Sequence, residues 1–288
     1  MRFELLEPRT TAEAVSLLSA HRNEARVIAG GQSLLLMIRS GLVRPRFLLS
    51  VGPLEEWAGI KVKPDGALHI GALATHRQIL ESQHTKEKAS ILTQAACRIG
   101  STPVRNLGTI GGNLCHNEMG SDPPPALLAL DAVAECVSPR GARKIPLSEL
   151  FTGYFETCLE PDELLVGLAI PPQPEESRGI YLKHTMRPGD LAIVGVAALA
   201  TLREGVCDDI KLALGGVGPV PFRAHEAEGL LRGKSLNASV IGAAARAAAE
   251  ASDPLSDAHA SAEYRRKMVR VFAKRALDQI LGDAKGDK

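Results

Sequence analysis

The sequence predicts an α+β protein in two parts, and three observations carry that prediction. Short apolar runs alternate with segments of helical periodicity in the first part, a proline-dense segment interrupts the chain, and strand-like runs followed by two long helical patterns fill the remainder. The interruption is Pro171-Pro172-Gln173-Pro174-Glu175-Glu176-Ser177, where three prolines in four positions can continue neither a helix nor a central strand. It separates expected domains of residues 1–175 and 178–288.

The elements follow in order. Thr10-Thr11-Ala12-Glu13 fits a capping box, with Ala14, Val15, Leu17 and Leu18 as the apolar stripe behind it. Arg26-Val27-Ile28 is a short strand, ended by Ala29-Gly30-Gly31, and Ser33 opens the apolar helical run Leu34-Leu35-Leu36-Met37-Ile38. Strands are expected at 46–51 and 67–73, a helix start at Thr75, and a helix over 90–99. The glycine-rich stretch from Gly108 to Asn113 reads as a loop, and Ser121-Asp122-Pro123-Pro124-Pro125-Ala126 as a loop entering a helix with proline in its first turn. Strands at 133–138 and 163–170 close the first part. Beyond the prolines, strands at 179–184, 192–202 and 210–217 and helices at 238–251 and 262–281 predict a small antiparallel sheet backed by helices.

Composition narrows the function classes. Lysine and arginine number 34 against 33 acidic residues, which provides no basic face for nucleic acid or an anionic membrane. Only 3% of residues are aromatic, so a base-stacking platform lacks material. No apolar run reaches the roughly 18 residues of a membrane span, and Met1-Arg2-Phe3-Glu4 is charged at once, unlike a signal peptide. Cys97, Cys115, Cys136, Cys158 and Cys207 are scattered with no C-x-x-C pair, which suits reduced thiols in the cytoplasm and leaves no ligand set for zinc or an iron–sulfur cluster. No metal site is expected in this chain.

Two glycine pairs carry the chemistry. Ala29-Gly30-Gly31-Gln32-Ser33 lies between a strand and a helix, and Thr109-Ile110-Gly111-Gly112-Asn113 is a second such segment. Without a Cβ the backbone can approach a bulky anion, and successive N–H groups can form a concave nest at a helix start. Neither segment fits G-x-G-x-x-G or G-x-x-x-x-G-K-[ST], so a tight turn and a pyrophosphate cradle both remain open for each.

Together, Ala29-Gly30-Gly31-Gln32-Ser33-Leu34 and Thr109-Ile110-Gly111-Gly112-Asn113-Leu114 resemble the paired FAD motifs in the medium subunit of the carbon monoxide dehydrogenase and xanthine dehydrogenase family of molybdenum hydroxylases. The likeness spans nearly the whole chain, through Ser121-Asp122, Asp131-Ala132, Leu164-Leu165, Ile170-Pro171, Lys183, Arg187 and Gly189-Asp190-Leu191-Ala192. It implies an FAD-binding fold of the vanillyl-alcohol-oxidase type in two subdomains, closed over by a small C-terminal α+β domain with an antiparallel sheet and helices.

The resemblance also implies a site. Backbone amides of Val27, Ile28, Ala29, Gly30, Gly31, Gln32, Ser33 and Leu34 would cradle the FAD pyrophosphate, met from the other side by Thr109, Ile110, Gly111, Gly112 and Asn113. The Ser33 and Thr109 hydroxyls either bond phosphate oxygens or cap the next turn. Asp122 bonds a ribose hydroxyl or acts as an N-cap. Ile99 and Leu165 pack on the cofactor or belong to the core. Lys183 lies near the flavin ring or is a solvated strand lysine, and Asp190 and Leu191 form a turn in which Leu191 covers a ring face. Cys115, His116 and His184 read as bystanders, and no residue takes a catalytic role.

By the same resemblance the chain relays electrons. A large subunit with a molybdenum–pterin centre oxidises the organic substrate, a small subunit with two [2Fe–2S] clusters passes the electrons on, and FAD in this chain delivers them to an external acceptor. A dimer of such heterotrimers is expected. Two rivals are an autonomous flavin oxidase or dehydrogenase, which needs a general base over the flavin, and a non-catalytic nucleotide-binding assembly protein. Tyr154, Tyr181 and Tyr264 are the only tyrosines, and no cluster of tyrosine, histidine or arginine announces such a base.

Overall fold

The computed structural model describes residues 3–286; the outermost residues of the two expected domains, 1–2 and 287–288, lie outside the described residues. The first unit comprises β1 (Glu4–Leu6), α1 (Thr11–Ala20), β2 (Ala25–Ile28), α2 (Leu34–Arg39) and β3 (Phe47–Ser50). Its strands form a parallel sheet in the order β1-β3-β2. Thr10 caps α1 by accepting from the Glu13 N–H, while the Glu13 carboxylate turns back to the Arg9 N–H at 2.7 Å, one residue outside the expected box. Ala14, Leu18, Leu49 and Trp57 share the core of this unit.

The second unit is larger. It comprises β4 (Ile60–Val62), β5 (Leu68–Gly71), α3 (His76–Glu81), α4 (Gln83–Lys88), α5 (Ser90–Cys97), α6 (Thr102–Leu107), α7 (Ile110–His116), α8 (Pro123–Ala129), β6 (Val133–Ser138), β7 (Gly141–Pro146), α9 (Leu147–Leu150), β8 (Phe151–Gly153), β9 (Glu156–Thr157) and β10 (Leu164–Ile170). Five strands form an antiparallel sheet in the order β4-β5-β10-β6-β7. Asp162 ties the two units together. Its buried carboxylate pairs with Arg22, after α1, and with Arg140 at 2.8 Å, between β6 and β7.

The third unit holds β11 (Ser177–His184), β12 (Val194–Arg203), β13 (Val206–Gly215), β14 (Phe222–Arg223), α10 (His225–Leu231), α11 (Ala238–Glu250) and α12 (Ala262–Gly286). Its four strands form an antiparallel meander. β12 has no polar face, because both sides of the sheet are covered. Val194, Val196, Ala198 and Ala200 face the core shared with α11 and α12, while Ala197 and Leu199 join the core of the second unit through α5 and α8. That double burial is why the run Val194 to Leu202 reads as continuous apolar sequence rather than alternation. The sheet is thereby fastened to the second unit, and Lys183 on β11 with the loop after it reaches the cleft between the first two. Among the described residues no helix is long and apolar enough to cross a membrane.

Candidate nucleotide-binding cleft

A cleft of 750 Å³ runs between the units, lined by residues from all three. Gly30 and Gly31 follow β2 and turn the chain into α2. The backbone N–H groups of Gly30, Gly31, Gln32, Ser33 and Leu34 donate no hydrogen bond to any described residue. Five consecutive unpartnered amides on the wall of a cleft form a nest that an anion would satisfy. Gly31 adopts φ +68°, which directs neighbouring N–H groups to one side. Ser33 makes no capping bond, so its hydroxyl is also uncommitted.

The second glycine pair works differently, and this corrects the expectation of a second nest. Thr109 is the N-cap of α7, so Ile110, Gly111 and Gly112 are the first turn of a helix, not a loop. Their amides are already used: Ile110 donates to the Ala74 carbonyl at 3.0 Å, Gly111 to that of Ala72 at 2.9 Å, and Gly112 to Thr109 Oγ1 at 3.1 Å. The glycines serve close approach instead. A Cβ on Gly111 would stand 2.7 Å from the Ala72 Cβ and 2.9 Å from its carbonyl oxygen. Ile110 is fully buried in the core and does not line the cleft; every other residue expected at the site does. The two glycine segments still meet, since a Cβ on Gly30 would stand 1.9 Å from the Leu107 carbonyl oxygen.

Asn113 donates to Ser121 Oγ at 3.0 Å, and its Oδ1 is buried without a partner beside the cleft. A buried acceptor left without a donor is costly.

Asp122 does not cap α8 through its side chain. Its carboxylate accepts from the Tyr181 hydroxyl at 2.7 Å and from Lys183 Nζ at 2.8 Å, and Lys183 also donates to the Arg98 carbonyl at 3.1 Å. Both charged side chains are about 95% buried (5% and 4% exposed). Burial raises the Asp122 pKa above the usual carboxylate range, opposed by Lys183 and Tyr181; burial and the Asp122 charge push the Tyr181 phenol well up. Asp122 and Lys183, expected in separate roles, are thus joined in one ion pair 2.8 Å across. Tyr181 was missed, although its i−2 position to Lys183 on β11 places both on one face. Ile99 and Leu165 line the same cleft, and Asp190 and Leu191 sit on an exposed loop that also lines it. Leu191, Leu36 and Phe155, all exposed, add apolar surface to the cleft.

His76 was also missed. It follows Thr75, whose capping box with Gln78 the sequence did signal, and it packs under Gly108. Burial, with Arg105 adding to it, pushes its pKa down to about 4. A folded pKa below the unfolded value of 6.5 means the unfolded chain binds more protons between those limits. Stability is therefore fully present above pH 6.5 and falls as the pH drops toward about 4. The expected loss is on the order of 3 kcal/mol. Urea denaturation at pH 7 and pH 4.5 should show it, and His76→Phe should remove that share of the acid sensitivity; an unchanged acid limb would refute the assignment.

Residues 1–173 match the family described as the FAD binding domain in molybdopterin dehydrogenase, and residues 180–280 match the carbon monoxide dehydrogenase flavoprotein C-terminal domain. The chain belongs to the FAD-binding molybdopterin dehydrogenase family. It is 36% identical to the 6-hydroxypseudooxynicotine dehydrogenase complex subunit alpha of Paenarthrobacter nicotinovorans, covering 99% of this chain and 97% of that protein. It is 33% identical to the xanthine dehydrogenase FAD-binding subunit of Escherichia coli O157:H7, over 96% and 95% of the two chains. A chain of carbon monoxide dehydrogenase from Hydrogenophaga pseudoflava, solved without the Mo-pyranopterin moiety of its molybdenum cofactor, superposes with a TM-score of 0.94 at 32% identity, covering 96% of each. The chain is thus an oxidoreductase subunit with an FAD-binding domain, and its α+β fold is that of the carbon monoxide dehydrogenase medium chain.

Proposed function

We propose that the chain holds FAD along the cleft and forms the flavin terminus of a three-component electron chain. Electrons reach it from the [2Fe–2S] clusters of a small subunit, reduced in turn at the molybdenum–pterin centre of a large subunit, and leave to an external acceptor. The assembly is a cytoplasmic dimer of heterotrimers, and the chain divides into an FAD-binding domain, 1–175, and a C-terminal domain, 178–288. The observation that carries the FAD reading is the run of unpartnered amides from Gly30 to Leu34 on the cleft wall.

The residues present fit the cofactor. Gly30 to Leu34 would hold the pyrophosphate through backbone amides and the Ser33 hydroxyl, with Val27, Ile28 and Ala29 lining the cleft beside them and Thr109 free to donate its hydroxyl proton while accepting from Gly112. Ile99, Leu165 and Leu191 would exclude water from apolar rings. Asp122 and Lys183 present one fixed, charge-compensated pair with the Tyr181 hydroxyl behind it. When bound, FAD supplies the redox chemistry, and the chain supplies position and electrostatics.

The purified chain should be yellow, release FAD on denaturation, and turn over no organic substrate alone. Turnover without a molybdenum subunit would overturn the relay reading. A colourless chain that takes up no FAD would overturn the flavin reading itself.

A further inference from the structure

A second pocket, of 500 Å³, opens beside the cleft. One wall is the corner between α5 and α6, with Cys97, Arg98, Gly100 and Arg105; the other is the loop between β11 and β12, with Thr185, Met186, Arg187 and Gly189. Four cations, Arg98, Arg105, Lys183 and Arg187, line it, and no carboxylate does. Asp122 is committed to Lys183 and Tyr181, and Asp190 lines the main cleft instead.

The cations are held on ordered backbone. The Arg105 guanidinium donates to the carbonyls of Ile99 at 2.7 Å and Gly100 at 3.3 Å and to Thr102 Oγ1 at 3.2 Å. Those acceptors are neutral, so they fix its position without cancelling its charge. The Thr185 hydroxyl donates to the carbonyls of Arg187 at 3.1 Å and Leu191 at 3.2 Å, closing the opposite loop on itself. The two walls abut where a Cβ on Gly189 would stand 3.0 Å from the Gly100 carbonyl oxygen. The side chains of Arg98 and Arg187 enter no hydrogen bond or ion pair with any described residue.

Lys183 is neutralised by Asp122, but Arg98, Arg105 and Arg187 have no ion-pair partner among the described residues, and such cations around a concave volume focus a field that concentrates anions. Guanidinium groups match the geometry of phosphate oxygens, and the volume lies within the range of small-molecule sites. We propose that this pocket binds a phosphate-bearing small molecule alongside the FAD cleft, with Arg98 and Arg187 as its ligands and Arg105 as fixed positive background. The pocket shares Gly100, Lys183 and Gly189 with the cleft, so its occupant would lie against bound FAD; that placement rests on the flavin reading above.

The test titrates the FAD-loaded chain with inorganic pyrophosphate and, separately, with ADP by calorimetry, while flavin absorbance is followed. Binding is expected with FAD retained, weakening as salt is raised. The double variant Arg98→Gln/Arg187→Gln should weaken it at least about tenfold with FAD content unchanged, and Arg98→Lys/Arg187→Lys should recover part of the affinity. Tighter binding of ADP than of pyrophosphate would mark the ligand as a nucleotide, and the reverse as a simple phosphate compound. Failure of both probes to bind at millimolar concentration, binding that displaces FAD, or binding indifferent to the double variant would each overturn the proposal. A chain that takes up no FAD yet binds pyrophosphate through these arginines would fail the flavin reading alone.

Discussion

Replacing Lys183 by methionine is expected to destabilise the chain by about 3–5 kcal/mol at neutral pH, the range for breaking one half of a buried ion pair. Its partner, Asp122, would keep only the Tyr181 hydroxyl as a donor, in a site that already disfavours its charge. Lys183 is the largest opponent of that burial, so removing it drives the Asp122 pKa further up. The sign of the pH dependence follows. A carboxyl with a raised folded pKa binds more protons folded than unfolded, so the variant loses stability relative to wild type as the pH rises from the ordinary carboxylate value toward the raised folded one, and regains it on acidification. His76 pulls the other way below pH 6.5 in both chains, so the difference between variant and wild type is the quantity to follow. Urea denaturation at pH 5.5 and 8 measures it. The double variant Lys183→Met/Asp122→Leu should recover most of the loss, because two apolar groups leave no buried charge. A double variant as unstable as the sum of its singles would show that the pair is not coupled.

That pair also marks where sequence reading stopped. Asp122 and Lys183 were each visible, through the family resemblance, but their contact joins residues on different units and has no local signature. Elements with a strong cap or a long apolar period were legible: Thr10 and Thr75 at helix starts, β12 and β13, α11 and α12. The strands β1 and β4 are three residues each, and α4, Gln83-His84-Thr85-Lys86-Glu87-Lys88, has no apolar stripe, so neither pattern rose above its surroundings. The helix α6 was missed although Pro103 stands at its start. The second glycine pair was misread for a physical reason. Gly111 and Gly112 suggest a loop by composition, but Thr109 caps them into a helix whose missing Cβ atoms admit Ala72. The same residue type thus does two jobs in one site, and only the first pair leaves its amides free.

Gly30 is therefore the position where one added methyl group should cost the most FAD binding. In Gly30→Ala the new Cβ would meet the Leu107 carbonyl oxygen at 1.9 Å and the Gly108 Cα at 3.0 Å, and both are backbone that cannot rotate away. The loop must lift off the segment before α7, carrying the amides of Gly31 to Leu34 out of register with the cleft. Gly31→Ala should be milder, even though φ is +68°. Its nearest neighbour is the tip of the Leu35 side chain at 2.9 Å, which can move, leaving a left-handed backbone cost of about 1–2 kcal/mol. Gly229→Ala in α10, with nothing within 4 Å, is the control, and should bind FAD normally with a slight gain in helix stability. Fluorescence titration of the apoprotein with FAD should rank the affinities Gly229→Ala, then Gly31→Ala, then Gly30→Ala, with the last weakened by about a hundredfold or more, equivalent to about 2.7 kcal/mol. Circular dichroism separates lost binding from lost folding. The C-terminal sheet and its helices make no contact through Gly30, so a folded Gly30→Ala chain with empty flavin absorbance is the expected result. Wild-type FAD affinity in that variant would mean that the amides after β2 do not hold the cofactor.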